Sequence, residues 1–233
     1  MTPLRIEVLP DAAAVAARGA AFVAEQARAA VAHHGRFTIA VSGGDTPWAM
    51  FACLVDEDFP WEKVTVYQVD ERVAPDGDPD RNLTHLQASL PPGAATDIRS
   101  MPVDAPDLEL SAEDYARSLP GRLDLVHLGL GPDGHTASLV PEDPVLEVDD
   151  RHVAVTGVYM GRPRMTLTYA ALNRARQVLW LVTGKDKADA LRRLRAGDHS
   201  IPAGRVAAAS ALVIADAAAA GGLPPYRGVI RPT

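Results

Sequence analysis

A chain of 233 residues that is 47% hydrophobic and 23% charged has the composition of an ordinary globular protein, with length for one large domain and a sizeable core, or for two small ones. Its formal net charge of -7 argues against a general nucleic-acid binder, which needs a basic surface, but leaves room for a small anion held by a few local cations. Cys53 is the only cysteine, so no intrachain disulfide is possible, and with no leader-like start and no apolar run of about 20 residues a soluble cytoplasmic protein is expected.

In chain order, strands and helices alternate. "LRIEVL" (4–9) reads as a strand, and Asp11 as the cap of a long helix ending near Gly35. "RFTIAVSGG" is a strand running into a glycine turn. "TPWAMFACLV" is a helix with Thr46 expected as N-cap and Pro47 at the first helical position; Cys53, inside it, reads as a buried small apolar residue. "VTVYQVDER" is a third strand, followed by a polar loop. Asn82 to Leu90 is expected to be helical, "DIRSMPV" a short strand, and Ser111 to Leu119 a helix with Ser111 and Asp114 at capping-box spacing. "LDLVHLGLG" is apolar enough for a central parallel strand buried on both faces. Then follow "HVAVTGV", a helical "TYAALNRA", the strand "QVLWLVTG", the helix "KADALRRLRAG" and an apolar "SALVIAD". The pattern predicts one α/β domain over residues 1–233, with a mainly parallel β-sheet flanked by helices on both faces.

In such folds ligands bind beyond the carboxyl ends of the strands. Four polar clusters fall there. In "SGGDTP", Gly43 and Gly44 separate a strand from a helix, so backbone N–H groups and the helix dipole can converge on an anion, although a tight connection alone would need the same glycines. No Lys-Ser or Lys-Thr follows, which excludes a nucleotide P-loop. In "DER", Arg72 suits a phosphate or carboxylate through its planar fork, and Asp70 is best placed to face a cleft; three adjacent ionisable groups also describe a solvated loop. Lys187, one of three lysines, starts a helix after a strand and can reach a phosphate there.

The fourth cluster is "HLGLGPDGHTASLVP". Gly129, Gly131 and Gly134 satisfy G-x-G-x-x-G, but Pro141 closes the segment before a full helix, and no acid follows at a return strand end, so a dinucleotide cofactor is not expected. His135 is expected at a helix N-terminus, whose dipole would keep the imidazole neutral. With Asp133 to orient it, that makes a general base; capping its own helix is the plainer reading. There is no G-x-S-x-G elbow, no S-x-x-K, no H-E-x-x-H and no cysteine pair. Neither a covalent nucleophile nor a metal is indicated. What the residues support is proton transfer on, or water attack on, a phosphorylated small molecule.

Taken in order, "VSGGDTP", "VDERVAPDGDPDRN", "LGLGPDGHTASLVP", "RPRMTLTYAALNRARQVLWLVTGKDKADAL" and "IPAGRVAAASALVIAD" resemble the 6-phosphogluconolactonase family over nearly the whole chain. The resemblance implies hydrolysis of 6-phospho-D-glucono-1,5-lactone in the oxidative pentose phosphate pathway, without cofactor or metal. It also implies a fold shared with glucosamine-6-phosphate deaminase and certain sugar-phosphate isomerases. The family base falls on His135, which with Asp133 and Asp70 makes the expected catalytic set. Phosphate contacts fall on Gly43, Gly44, Thr46, Arg72, Arg164 and Lys187. The expected partner is a phosphorylated sugar lactone, with no nucleic acid and no membrane.

The chain departs from that pattern at Asp45 and Arg81, where relatives carry serine, and in "SLVPE" for "SLFPG". Asp45 beside a phosphate would be repulsive, so its side chain is expected to point away. Deaminase relatives share the turn and "DGH" but continue with "FNEP" and have "DEY" for "DER". The lactonase is therefore preferred over a deaminase-isomerase, or over a non-catalytic sugar-phosphate-binding protein on the same fold.

Overall fold

The computed structural model describes residues 4–91, 94 and 96–221. Its elements in chain order are Arg5–Leu9 (β1), Ala12–His34 (α1), Phe37–Val41 (β2), Asp45–Cys53 (α2), Val64–Gln68 (β3), Asp70–Arg72 (β4), Asn82–Ser89 (α3), Asp97–Arg99 (β5), Leu108–Ser118 (α4), Leu125–Leu128 (β6), Val153–Val155 (β7), Arg164–Leu167 (β8), Tyr169–Leu172 (α5), Val178–Val182 (β9), Ala188–Arg195 (α6), Ala211–Asp216 (β10) and Ala217–Ala220 (α7). Seven of the strands form one sheet in the order β1-β10-β9-β6-β2-β3-β5, and every neighbouring pair is parallel.

The alternation along each central strand explains the layers. On β9, Leu179 and Leu181 face one side and pack with Val23, Met50 and Phe51 from α1 and α2. Val178, Trp180 and Val182 face the other and join Ala112, Tyr115 and Leu191 from α4 and α6. Both faces of β9 are buried, so its sequence is continuously apolar. This is the expected α/β sheet with helices on both faces.

The expected third strand is two strands. Val69 breaks "VTVYQVDER": its N–H donates to Val41 O in the large sheet (2.9 Å), while its own carbonyl accepts from Leu167 N (2.8 Å). The chain thereby passes into a second sheet, antiparallel and ordered β4-β8-β7. "DER" is consequently a strand of that sheet and not a loop. The sequence pattern does not announce this sheet, because β8 and β7 lie far from β4 in the chain.

Local signals had mixed outcomes. Asp11 caps α1 by accepting from Ala14 N, and Gly35 ends it in the left-handed region. α2 begins at Asp45 with Gly44 as N-cap, two residues earlier than the expected Thr46. α4 begins at Leu108, capped by Asp107. The hydroxyl of Ser111 donates to Asp107 O inside the helix, so the Ser111–Asp114 capping box is not formed. Cys53 ends α2 half-buried and packed against the α1–α2 core, not enclosed in it. The expected single unit over 1–233 extends beyond the described residues at both ends.

The adjacent strands β2, β6 and β9 all end on one side of the large sheet, and β4 and β8 of the small sheet come up against those ends. That junction holds the site.

Candidate active site

A cavity of about 340 Å³ opens at the junction, lined by Gly43, Gly44 and Thr46 after β2, by Asp70 and Arg72 of β4, by His135 after β6, by Arg164 of β8, and by Lys187 after β9. The expected residues thus meet at one place, apart from Asp133, which is not in the lining and touches it through His135. Asn82, Ala137 and Thr183 are among the other residues of the wall. Asp45 also lines the cavity and is exposed.

The anion-binding side is built from backbone. Among the described residues no side chain caps the start of α2, so its first N–H groups and the positive end of its dipole are open to a ligand. Gly43 has no Cβ because Asn82 occupies that space: a Cβ there would lie 1.9 Å from Asn82 Oδ1. Thr46 Oγ1 bonds Thr183 Oγ1 at 2.9 Å, tying this turn to the end of β9. Lys187 sits in the 3-10 turn Lys185–Lys187, with Nζ 2.9 Å from Asp186 Oδ2.

Arg164 is 7% exposed, and its Nε has no partner among the described residues. One Nη1 contact, to Ser138 Oγ, is long at 3.5 Å. Burial lowers its affinity for a proton, and nearby Asp70 opposes that. Asp70, 5% exposed, accepts from Ser138 Oγ at 2.6 Å and from Asn82 Nδ2 at 3.4 Å. Its carboxylate is therefore committed to the wall of the cavity and to balancing Arg164. Arg72 is held by Asp80 O (3.1 Å) and Asn82 Oδ1.

Glu71, between them, faces away from the cavity. Fully buried, it pairs with Arg81 Nε at 3.2 Å and accepts from Asn82 N and Leu83 N, capping α3 from another element. Arg81, at a position where a serine was expected, is thus the partner of a buried structural carboxylate.

His135 is not at a helix start. Residues 131–140 make turns and a Thr136–Leu139 bridge, so the expected helix dipole is absent. What orients the ring is Asp133: Oδ1 lies 2.6 Å from Nδ1 and 3.1 Å from the His135 backbone N. A carboxylate at Nδ1 assigns the proton to that nitrogen and leaves the Nε2 lone pair available. Burial pushes the Asp133 carboxyl up, but the His135 N–H, the imidazole's charge and the side-chain hydrogen bond outweigh it and hold the group below the ordinary aspartate range.

Two of the three glycines of the loop are required by the geometry; at Gly129 a Cβ would meet nothing. Gly131 makes room for the pair, since a Cβ there would lie 2.1 Å from His135 Nδ1. Gly134 turns the chain at φ +82° beneath Ile201, and Gly129 O accepts from Thr136 Oγ1 at 2.9 Å.

Sequence reasoning missed Ser138, Thr183 and Tyr159. Ser138 lay within a stretch that was read for its histidine alone. Tyr159 carries no local signal; its ring stands 5.6 Å from that of His135 and 5.0 Å from Arg164 Cζ. Together the groups provide an oriented base and a set of anion donors around one cavity.

Residues 10–214 match the family described as glucosamine-6-phosphate isomerases/6-phosphogluconolactonase. A 6-phosphogluconolactonase of Mesorhizobium japonicum is 40% identical over 189 residues, covering 76% of this chain and 79% of its own length. One from a Synechocystis species is 38% identical over 203 residues, covering 80% and 83%. Among solved structures, a 6-phosphogluconolactonase from Thermotoga maritima superposes with a TM-score of 0.80 at 26% identity, over 91% of this chain and 99% of the other. A monomeric glucosamine-6-phosphate deaminase superposes with a TM-score of 0.82 at 17% identity, over 94% and 99%, a likeness of fold alone.

Proposed function

The chain belongs to the glucosamine-6-phosphate isomerase/6-phosphogluconolactonase family, and from that premise we propose that it hydrolyses 6-phospho-D-glucono-1,5-lactone to 6-phosphogluconate, with His135 as general base. It is a hydrolase of carbohydrate metabolism acting on a phosphorylated sugar lactone. The observation that carries the assignment of roles is that His135, oriented by Asp133, and the anion donors Gly43, Gly44, Arg164 and Lys187 surround one cavity.

In this reading the phosphate seats on the Gly43-Gly44 turn and the start of α2, with Thr46, Arg164 and Lys187 around it. That fixes the lactone carbonyl near His135. Nε2 takes a proton from water as the water oxygen attacks C1. The tetrahedral intermediate then collapses, the bond from C1 to the ring oxygen breaks, and the imidazolium returns the proton to the departing oxygen. Asp133 holds the ring in the productive tautomer and supports its transient charge. Asp70 serves by fixing Ser138 and balancing Arg164, and Arg72 meets the phosphate or the developing oxyanion. A lactone is an activated ester, so a placed base worth about 10²–10⁴ in rate together with orientation suffices, with no acyl-enzyme. We take the whole chain as one working unit in the cytoplasm, without nucleic-acid or membrane partners; no described helix is long and apolar enough to cross a membrane.

The test is decay of lactone generated in situ, with and without protein, in EDTA. The wild-type protein should accelerate it, whereas His135→Ala should lose most of that acceleration while still binding 6-phosphogluconate. Near wild-type turnover by the variant would remove His135 from the role, and ammonia release from glucosamine 6-phosphate would redirect the assignment to the deaminase.

A further inference from the structure

We propose that Tyr159 is a positioning residue whose ring holds the imidazole of His135 and the guanidinium of Arg164 in fixed relation across the cavity, an inference that rests on the reading of His135 as base.

Tyr159 lies on the hairpin between β7 and β8. Its backbone bonds reciprocally with Arg162, N to O at 3.0 and 3.4 Å. Met160 and Gly161 between them have φ of 50° and 82°, the two positive values of a type I′ turn. That turn matches strand twist and makes the hairpin stiff. Arg162 then anchors the tip to the loop before α3, donating to Asp80 Oδ2 at 3.0 Å and Asp78 Oδ2 at 3.2 Å. The neighbours Val158 and Met160 are 72% and 81% exposed, so the tip is not held down by apolar packing of its own side chains. Tyr159 is the half-buried one of the three, and it is directed at the site.

Its ring meets two functional groups at once. The His135 ring approaches at 64° with centroids 5.6 Å apart, an edge-to-face contact. The Arg164 guanidinium carbon lies 5.0 Å from the Tyr159 centroid, within cation–π range. Each contact supplies something otherwise lacking. Asp133 fixes Nδ1 of His135 but leaves rotation about that hydrogen bond open, and a ring edge against the imidazole closes it. Among the described residues, Arg164 Nε has no partner and its Nη1 has only the 3.5 Å contact to Ser138. A π-face orients its guanidinium without consuming its donors, which stay free for an anion. Burial and the neighbouring Asp133 carboxylate hold the hydroxyl above the ordinary phenol range, with Arg164 opposing them, which keeps it protonated.

The experiment compares Tyr159→Phe and Tyr159→Ala in lactone hydrolysis, with 6-phosphogluconate affinity by calorimetry and thermal melts as the check on folding. Tyr159→Phe keeps the ring, and its kcat and KM should stay within about threefold of wild type. Tyr159→Ala should lower kcat about tenfold or more through the loosened base, and raise KM and the product Kd through the loosened guanidinium. Phenylalanine, by contrast, should restore kcat, KM and the product Kd together. Should Tyr159→Ala melt early, Tyr159→Leu, which keeps bulk without a π-face, should show the same kinetic pattern. An active wild type with alanine and leucine variants near normal, or a phenylalanine variant as impaired as alanine, would overturn the proposal alone. A wild type that leaves lactone decay unchanged would overturn the lactonase reading and the proposal with it.

Discussion

A Cβ on Gly131 would stand 2.1 Å from His135 Nδ1 and 2.7 Å from Asp133 Oδ1, which makes this glycine a condition for the catalytic pair. Gly131→Ala should push the imidazole aside and lower kcat about 100-fold, the cost of roughly an ångström of misplacement, with a much smaller change in KM. Equal effects on both constants in steady-state assays would mean that the loop had collapsed instead. Lys187 acts at the other end of the cavity. Its loss removes a charge-assisted contact worth about 1.5–3 kcal/mol, so Lys187→Ala should raise KM about tenfold or more and leave kcat close to wild type. An unchanged KM would take Lys187 out of the phosphate site. The glycines and His135 were visible in the sequence because loop and pair lie within seven residues. Tyr159 was not, since its contacts with His135 and Arg164 depend on how a hairpin folds back.

α3 shows the same limit among elements. The residue at its N-cap, Arg81, offers no side-chain cap; the cap comes from Glu71 of β4, eleven residues before Asn82, with Oε1 and Oε2 accepting from Asn82 N and Leu83 N at 2.7 and 2.8 Å. The same carboxylate pairs with buried Arg81. Glu71→Gln removes the charge and leaves that guanidinium buried without its counter-ion, so unfolding free energy should fall by about 3 kcal/mol, read from denaturant melts. A loss below about 1 kcal/mol would mean that the pair behaves like a surface contact. Periodicity located β2, α1, β6, β9 and β10, whose apolar residues are spaced for one or two buried faces. It joined β3 to β4, because Val69 is apolar and extended like its neighbours, and only its hydrogen bonds to Val41 and Leu167 divide the two sheets.

On the scale of the whole molecule, β6 carries an imidazole into the core. His127 is 0% exposed, and neither ring nitrogen has a partner among the described residues. Burial drives its pKa from 6.5 down to about 3. The folded protein then keeps His127 neutral while the unfolded chain takes up a proton below 6.5. The unfolded state binds more protons between those values, so stability is fully present above pH 6.5 and falls as pH drops toward 3, with a slope approaching about 1.4 kcal/mol per unit from this group. His127→Leu should remove that share of the slope and raise stability at neutral pH by about 1 kcal/mol or more, since no buried nitrogen is left unpaired. Urea melts from pH 4.5 to 7.5 check both; parallel curves for variant and wild type would show that His127 does not couple to folding.

What the sequence by itself determined was the alternation of elements, the parallel sheet with helices on both faces, and the glycine turns and His135–Asp133 pair at strand ends. Those properties follow from side-chain periodicity and from contacts a few residues long. The tertiary structure decided that β4, β7 and β8 make a second sheet, that Glu71 caps α3 while its neighbours Asp70 and Arg72 line the cavity, that no helix follows His135, and that Tyr159 stands between base and guanidinium. These depend on which strand ends meet across tens of residues of chain, and that is set by packing of the whole core.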